Sequence, residues 1–96
     1  MNFEQYMQAK HKGKANAVKS REIEAAFHCK GAEVRRMVND LRCKGVPICS
    51  CNEGYYYADS DQDICFTIAH LNGRIKKMQA AKQGMHDILN RYKEGN

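Results

Sequence analysis

Five cysteines and four histidines are the side chains here best suited to chemistry, and their spacing limits what that chemistry could be. Cys29, Cys43, Cys49, Cys51 and Cys65 form an odd set with no Cys-x-x-Cys pair. A disulfide framework calls for an even number and a secretory leader. The opening Met-Asn-Phe-Glu-Gln-Tyr lacks the basic-then-apolar layout of such a leader. A zinc site would have to use Cys43, Cys49, Cys51 and Cys65, or enlist His28. Structural zinc draws its ligands as two close pairs, whereas Cys49-x-Cys51 has the spacing of a strand. The expectation is therefore reduced thiols acting as small, partly buried apolar side chains, with no metal and no cofactor. His28 beside Cys29 is not a dyad by adjacency. Paired carboxylates, a glycine-rich phosphate loop and His-x-x-x-His are all missing. No catalytic residue is expected, and the chain does not read as an enzyme.

Charge is the stronger signal. The chain of 96 residues carries +5 overall, from 16 Lys and Arg against 11 Asp and Glu. The excess is concentrated: residues 10–44 hold ten basic and four acidic side chains, while 45–96 hold six of each. A basic half joined to a neutral half is the footprint of a phosphate-backbone binder. Apolar residues at 43% and charged residues at 28% describe one globular domain, neither disordered nor multidomain. No apolar run approaches the roughly 20 residues of a spanning helix, so a cytoplasmic protein without a membrane partner is expected.

The elements that must position these charges follow from periodicity. Residues 2–11 read as a short helix with Phe3, Tyr6, Met7 and Lys10 on one face. Residues 12–18 form a polar connector broken by Gly13 and Asn16. Ser20 suits an N-cap, with Glu22 and Glu24 in the first turn of a helix over 20–28. Ile23, Ala26 and Phe27 supply its buried stripe. Cys29-Lys30-Gly31 makes a tight turn into a helix over 32–44. There Val34, Met37, Val38 and Leu41 mark the inner face, and Glu33, Arg35, Arg36, Asn39, Asp40 and Arg42 the outer one. Gly45 and Pro47 stop it.

After Pro47 the period becomes strand-like, and 48–58 reads as a β-hairpin turning at Asn52-Glu53-Gly54. Tyr55 and Tyr57 lie on one face and Tyr56 on the other, so both faces are expected to pack. Residues 59–96 then form a C-terminal helix. Ile64, Ile68, Leu71, Ile75, Met78, Lys82, Met85, Leu89 and Tyr92 repeat at 4-3-4-3 spacing, a heptad stripe interrupted by Lys82. Unbroken from Asp61 to Tyr92 it would span about 48 Å, and Gly84 is a candidate break.

The order is α+β and mainly helical: two short helices on a tight turn, the second basic outside, then a hairpin and a long helix. This is the order of a winged helix-turn-helix. The stretch Ser20–Ala58 resembles the winged-helix DNA-binding domain of the biotin-operon repressor type and small prophage-encoded relatives. The likeness rests on Ser20-Arg-Glu-Ile-Glu-Ala-Ala-Phe, Glu33-Val-Arg-Arg-Met-Val-Asn-Asp-Leu-Arg, Gly45-Val-Pro-Ile-Cys-Ser and Gly54-Tyr-Tyr. It implies a helix reading bases from its Lys30-to-Asn39 end and a wing at Ser50–Gly54. Here Asn52-Glu53 offers no basic side chain to DNA. The resemblance does not extend to a ligand-controlled domain.

Residues 1–58 are thus expected to be a winged helix-turn-helix domain that binds double-stranded DNA sequence-specifically, its 32–44 helix in the major groove, through Lys19, Arg21, Lys30, Glu33, Arg35, Arg36, Asn39 and Asn52. Residues 59–96 are expected to dimerise it through Ile68, Leu71, Ile75, Met78, Met85 and Leu89. Arg42 is expected to pack along the hairpin. The function expected is that of a small transcriptional regulator or phage accessory protein. The acidic Glu53 supports an alternative, a protein-interaction module on the same scaffold without DNA binding.

Overall fold

Capping fixes where the first helix begins. In the computed structural model, which describes residues 1–95, α1 spans Phe3–Lys10 behind a reciprocal capping box. The Asn2 side chain accepts from the Gln5 N–H at 2.8 Å, and the Gln5 side chain accepts from the Asn2 N–H at 3.1 Å. Two N–H groups that a helix start leaves unpaired are thereby satisfied. A 3₁₀ turn at Lys14–Asn16 follows, then α2 (Ser20–Phe27), α3 (Gly31–Cys43), β1 (Ile48–Cys51), β2 (Gly54–Tyr57) and α4 (Asp61–Glu94). Residue 96, the end of the expected 59–96 segment, lies outside the described residues.

The helices expected over 2–11 and 32–44 begin one residue later and one earlier, at Phe3 and Gly31, while the helix expected over 20–28 begins at Ser20 with a different cap. Lys19 is the N-cap of α2; Ser20 is already helical, and its hydroxyl donates to the Glu24 carboxylate at 3.0 Å. Gly31, expected in the turn, opens α3 behind Lys30. Between the two helices, His28 turns the chain through the left-handed region with φ 51°.

The core joins Phe3 and Met7 of α1, Val18, Ile23 of α2, Val34 and Val38 of α3, and Ile48 of β1. The rings of Phe3 and Tyr6 stand edge-on to Phe27, with centroids 5.7 and 5.1 Å apart, the arrangement that aromatic quadrupoles favour. Ala26, expected inside, is exposed. It lies about 60° around the helix from Ile23, and one methyl cannot reach the core from there as the Phe27 ring does.

The connector is structured. Tyr57 N–H donates to His11 O at 2.7 Å and Gly13 N–H to Tyr57 O at 2.8 Å, while Val18 and Tyr55 exchange two bonds of 2.8 Å. Strand β2 is thus flanked by β1 on one edge and by residues 11–18 on the other. No edge of β2 is left for pairing with another chain.

The hairpin is covered on both faces. Ile48, Tyr55 and Tyr57 pack on the main core, and Cys49, Tyr56 and Ala58 form a second cluster. The first turns of α4 rest against β1, where Asp63 accepts from the Tyr56 hydroxyl at 3.5 Å and from the Asp59 N–H at 3.0 Å. The Ser60 hydroxyl caps α4 by accepting from the Asp63 N–H.

Gly84 does not break α4. The helix is continuous for 34 residues, because a glycine costs only about 1 kcal/mol while a break would forfeit several backbone hydrogen bonds. Beyond Leu71 every described residue of α4 is exposed. This helix stretches the molecule to 59 Å and gives a radius of gyration of 17.5 Å, against about 12.5 Å for a compact chain of this length. No helix is long and apolar enough to cross a membrane among the described residues.

Candidate nucleic-acid interface

Helix α3 sorts its charges by flank. Val34 and Val38 are buried and Met37 and Leu41 half-buried, which fixes the helix's rotation. Arg35, Asn39 and Arg42, at i, i+4 and i+7, share the flank toward the hairpin, and all three border a cleft there with Ser50 and Tyr55. Glu33 and Asp40, also seven residues apart, fall on the opposite flank. Asp40 borders a depression against Asn2, Phe3 and Glu4 at the start of α1. Arg36 is exposed on the outermost face between them. The outer face that appears mixed in sequence is therefore basic on one side and acidic on the other.

Arg42 anchors the geometry. Its Nε donates to Ile48 O at 2.7 Å and its Nη2 to Ser50 Oγ at 3.4 Å, tying the last turn of α3 to β1. Burial pushes the Arg42 pKa down, opposed by Tyr55 and Cys49, with the nearby Arg74 charge adding to the downward shift.

The remaining expected contacts are dispersed. Lys30 is exposed at the head of α3, and Arg21 is exposed in the first turn of α2. Lys19 and Asn52 lie at the other end of the hairpin, since the Lys19 backbone passes directly against Gly54. Asn52-Glu53 forms a two-residue turn. Hydrogen bonds from the Cys51 thiol and from Glu53's own N–H, with the Lys14 and Lys19 charges adding attraction, hold the Glu53 carboxyl below the usual carboxylate range.

The cysteines divide by position. Cys49 is buried and Cys29 and Cys51 are half-buried, whereas Cys43 and Cys65, expected to be partly covered, are exposed. Both exposed thiols sit on helix faces turned from the core. Burial, with Glu33 and Glu24 nearby, raises the pKa of Cys29, and burial raises that of Cys49. A thiol held protonated is a poor nucleophile. No group of three or more His, Cys, Asp or Glu side chains is placed to hold a metal among the described residues.

Along α4, Ile68, Ile75, Met78, Met85 and Leu89 are exposed and Leu71 is half-buried. Ile88, outside the expected stripe, is exposed beside it. His70 and Arg74 of α4, which sequence reasoning did not single out, border the same cleft as Arg35 and Arg42. Their i, i+4 spacing was legible, but the element they face was not. Set against known proteins, the chain matches no family model, no curated protein and no solved structure.

Proposed function

We propose that this chain is a winged helix-turn-helix protein that binds double-stranded DNA by inserting α3 into the major groove. On this reading it acts in the cytoplasm as a small transcriptional regulator or phage accessory protein. The observation that carries it is the division of charge around α3. Arg35, Arg36 and Asn39 are presented together, and Glu33 and Asp40 fall on the opposite flank, Asp40 beside the start of α1. The major groove is about 12 Å wide and accepts one helix. Arginine pairs with guanine and asparagine with adenine on the edges exposed there. Helix α2 braces α3 through the tight turn at His28, and Lys30 stands where a phosphate would pass the helix start.

A second copy is the expected partner of α4. Its stripe places Ile68 and Ile75 in alternation with Leu71 and Met78, a β-branched pattern that favours two parallel strands. Lys82 in the same stripe costs stability but restricts register. A two-fold dimer would suit palindromic half-sites.

Fluorescence anisotropy of a labelled random duplex, titrated at several salt concentrations, tests the DNA reading. Log affinity should fall linearly with log salt, with a slope of about 0.9 per phosphate contacted. Arg35→Ala with Arg36→Ala should weaken binding at least about tenfold without lowering the melting temperature. Absence of binding at about 50 mM salt would overturn it. The acidic turn would then favour a protein-interaction module, recognised by a partner whose capture survives nuclease treatment.

A further inference from the structure

The cleft between α3, the hairpin and α4 is lined by three arginines that belong to different parts of the sequence. Arg35 and Arg42 come from α3, and Arg74 comes from α4, one turn beyond His70. Asn39 and Ser50 add hydrogen-bonding groups, and Val38 and Tyr55 supply the rest of the wall. The space measures about 210 Å³, room for a small tetrahedral anion and water. None of the described residues lining it is acidic.

The Arg42 and Arg74 charges on opposite walls of this small cleft repel one another. Arg42 is already committed to the Ile48 carbonyl through Nε, and its second contact, Nη2 to Ser50 Oγ, is long at 3.4 Å. Arg35 and Arg74 are exposed and make no hydrogen bond or ion pair with any described residue, although Arg35 Nη1 stands beside Gly31 on the side of the Glu24 carboxylate. Guanidinium forks match phosphate oxygens bidentately, and a group of −1 or −2 charge would relieve the repulsion.

We propose that this cleft holds a phosphate group of the DNA backbone, so that the first half of α4 belongs to the DNA interface as well as to the dimer. The proposal rests on the DNA-binding reading and adds to it a phosphate contact from outside the helix-turn-helix. Beyond Arg74, Lys77 continues the row of His70 and Arg74 along α4 at i, i+4 and i+7. That row would follow the backbone away from the groove that α3 enters.

The test uses the full chain and compares Arg74→Ala with Lys93→Ala, which removes the same charge at the far end of α4. Both positions are exposed, and circular dichroism verifies that each variant is folded. Arg74→Ala should weaken binding to a random duplex about fivefold to tenfold and lower the salt slope by about 0.9. Lys93→Ala should do neither, and Arg74→Lys should recover the slope but only part of the affinity. If Arg74→Ala binds like Lys93→Ala while Arg36→Ala, which lies outside the cleft, weakens binding, the cleft proposal is overturned and the DNA reading stands. Titration of inorganic phosphate and tripolyphosphate separates the sources. Tripolyphosphate binding that depends on Arg74, in a chain that binds no duplex, would make the cleft a site for a free anion and overturn its assignment to DNA. Neither duplex nor anion binding would overturn both.

Discussion

The Nε of Arg42 donates to the backbone carbonyl of Ile48 across a gap of 2.7 Å. This bond joins the last turn of α3 to the first residue of β1. It spans the chain reversal at Gly45–Pro47 and fixes the angle between helix and hairpin. If α3 enters a groove, that angle decides where the hairpin meets the backbone.

Arg42→Met should therefore destabilise the fold while preserving the apolar stem. It leaves the Ile48 carbonyl without its charged donor, a loss of about 1.5–3 kcal/mol. Urea denaturation should show a lower midpoint with an unchanged slope. Arg42→Lys should recover little, because an ammonium lacks the fork that reaches Ile48 and Ser50 together.

Gly54 packs against Val18 more closely than any side chain would allow. A Cβ there would stand 2.1 Å from the Val18 carbonyl oxygen, and the backbone has φ +125°. Gly54→Ala should cost about 2–4 kcal/mol and open the pairing of β2 with residues 11–18. Gly45→Ala is the comparison: its φ is +87° with open space around it, so only the left-handed strain of about 1–2 kcal/mol applies. Thermal unfolding of the two variants should separate these costs.

Gly73 and Gly84 face open space within α4. Replacing either with Ala should favour the helix by about 0.8–1 kcal/mol. Far-ultraviolet circular dichroism should show higher helicity that persists to higher temperature. A loss of helicity in Gly84→Ala would show that α4 bends there.

Dimerisation through α4 predicts that Ile75→Ala lowers dimer affinity strongly. Each buried copy should lose about 2–5 kcal/mol. Analytical ultracentrifugation should find a monomer at concentrations where the parent chain is a dimer. A parent chain that is monomeric at all concentrations would remove the second copy as the partner of this stripe.

Tyr56 ties the hairpin to α4, and burial, followed by the Cys49 and Asp63 charges, pushes its pKa from 10.0 up to about 12. The folded state thus keeps a proton that the unfolded chain releases between these values. The resulting stability is complete below about pH 10 and is lost as pH rises through about 12. Ultraviolet absorbance should detect a phenol ionising near the upper value, absent from Tyr56→Phe. That variant should also lessen the fall in stability across the same window.

Much of the fold could be read locally. The periodicity of Val34, Met37, Val38 and Leu41 dictates an amphipathic helix, and Asn52-Glu53 between alternating apolar residues dictates a hairpin, because neighbouring residues alone set these geometries. The +6 over residues 10–44 likewise comes from composition. The cap of α2 and the start of α3 each moved by one residue because Ser20 and Gly31 can each cap or open a helix, and local preference does not separate the two roles. What no local pattern contained was which surfaces meet. The bonds of His11, Gly13 and Val18 to β2 join residues some forty positions apart. The meeting of Arg74 with Arg35 and Arg42, and the separation of Glu33 and Asp40 from them, depend on how α3 is rotated and where α4 crosses β1. Those relations are fixed by packing of Val34, Val38, Ile48 and Thr67 against distant neighbours, so the tertiary structure alone decided where the basic surface lies.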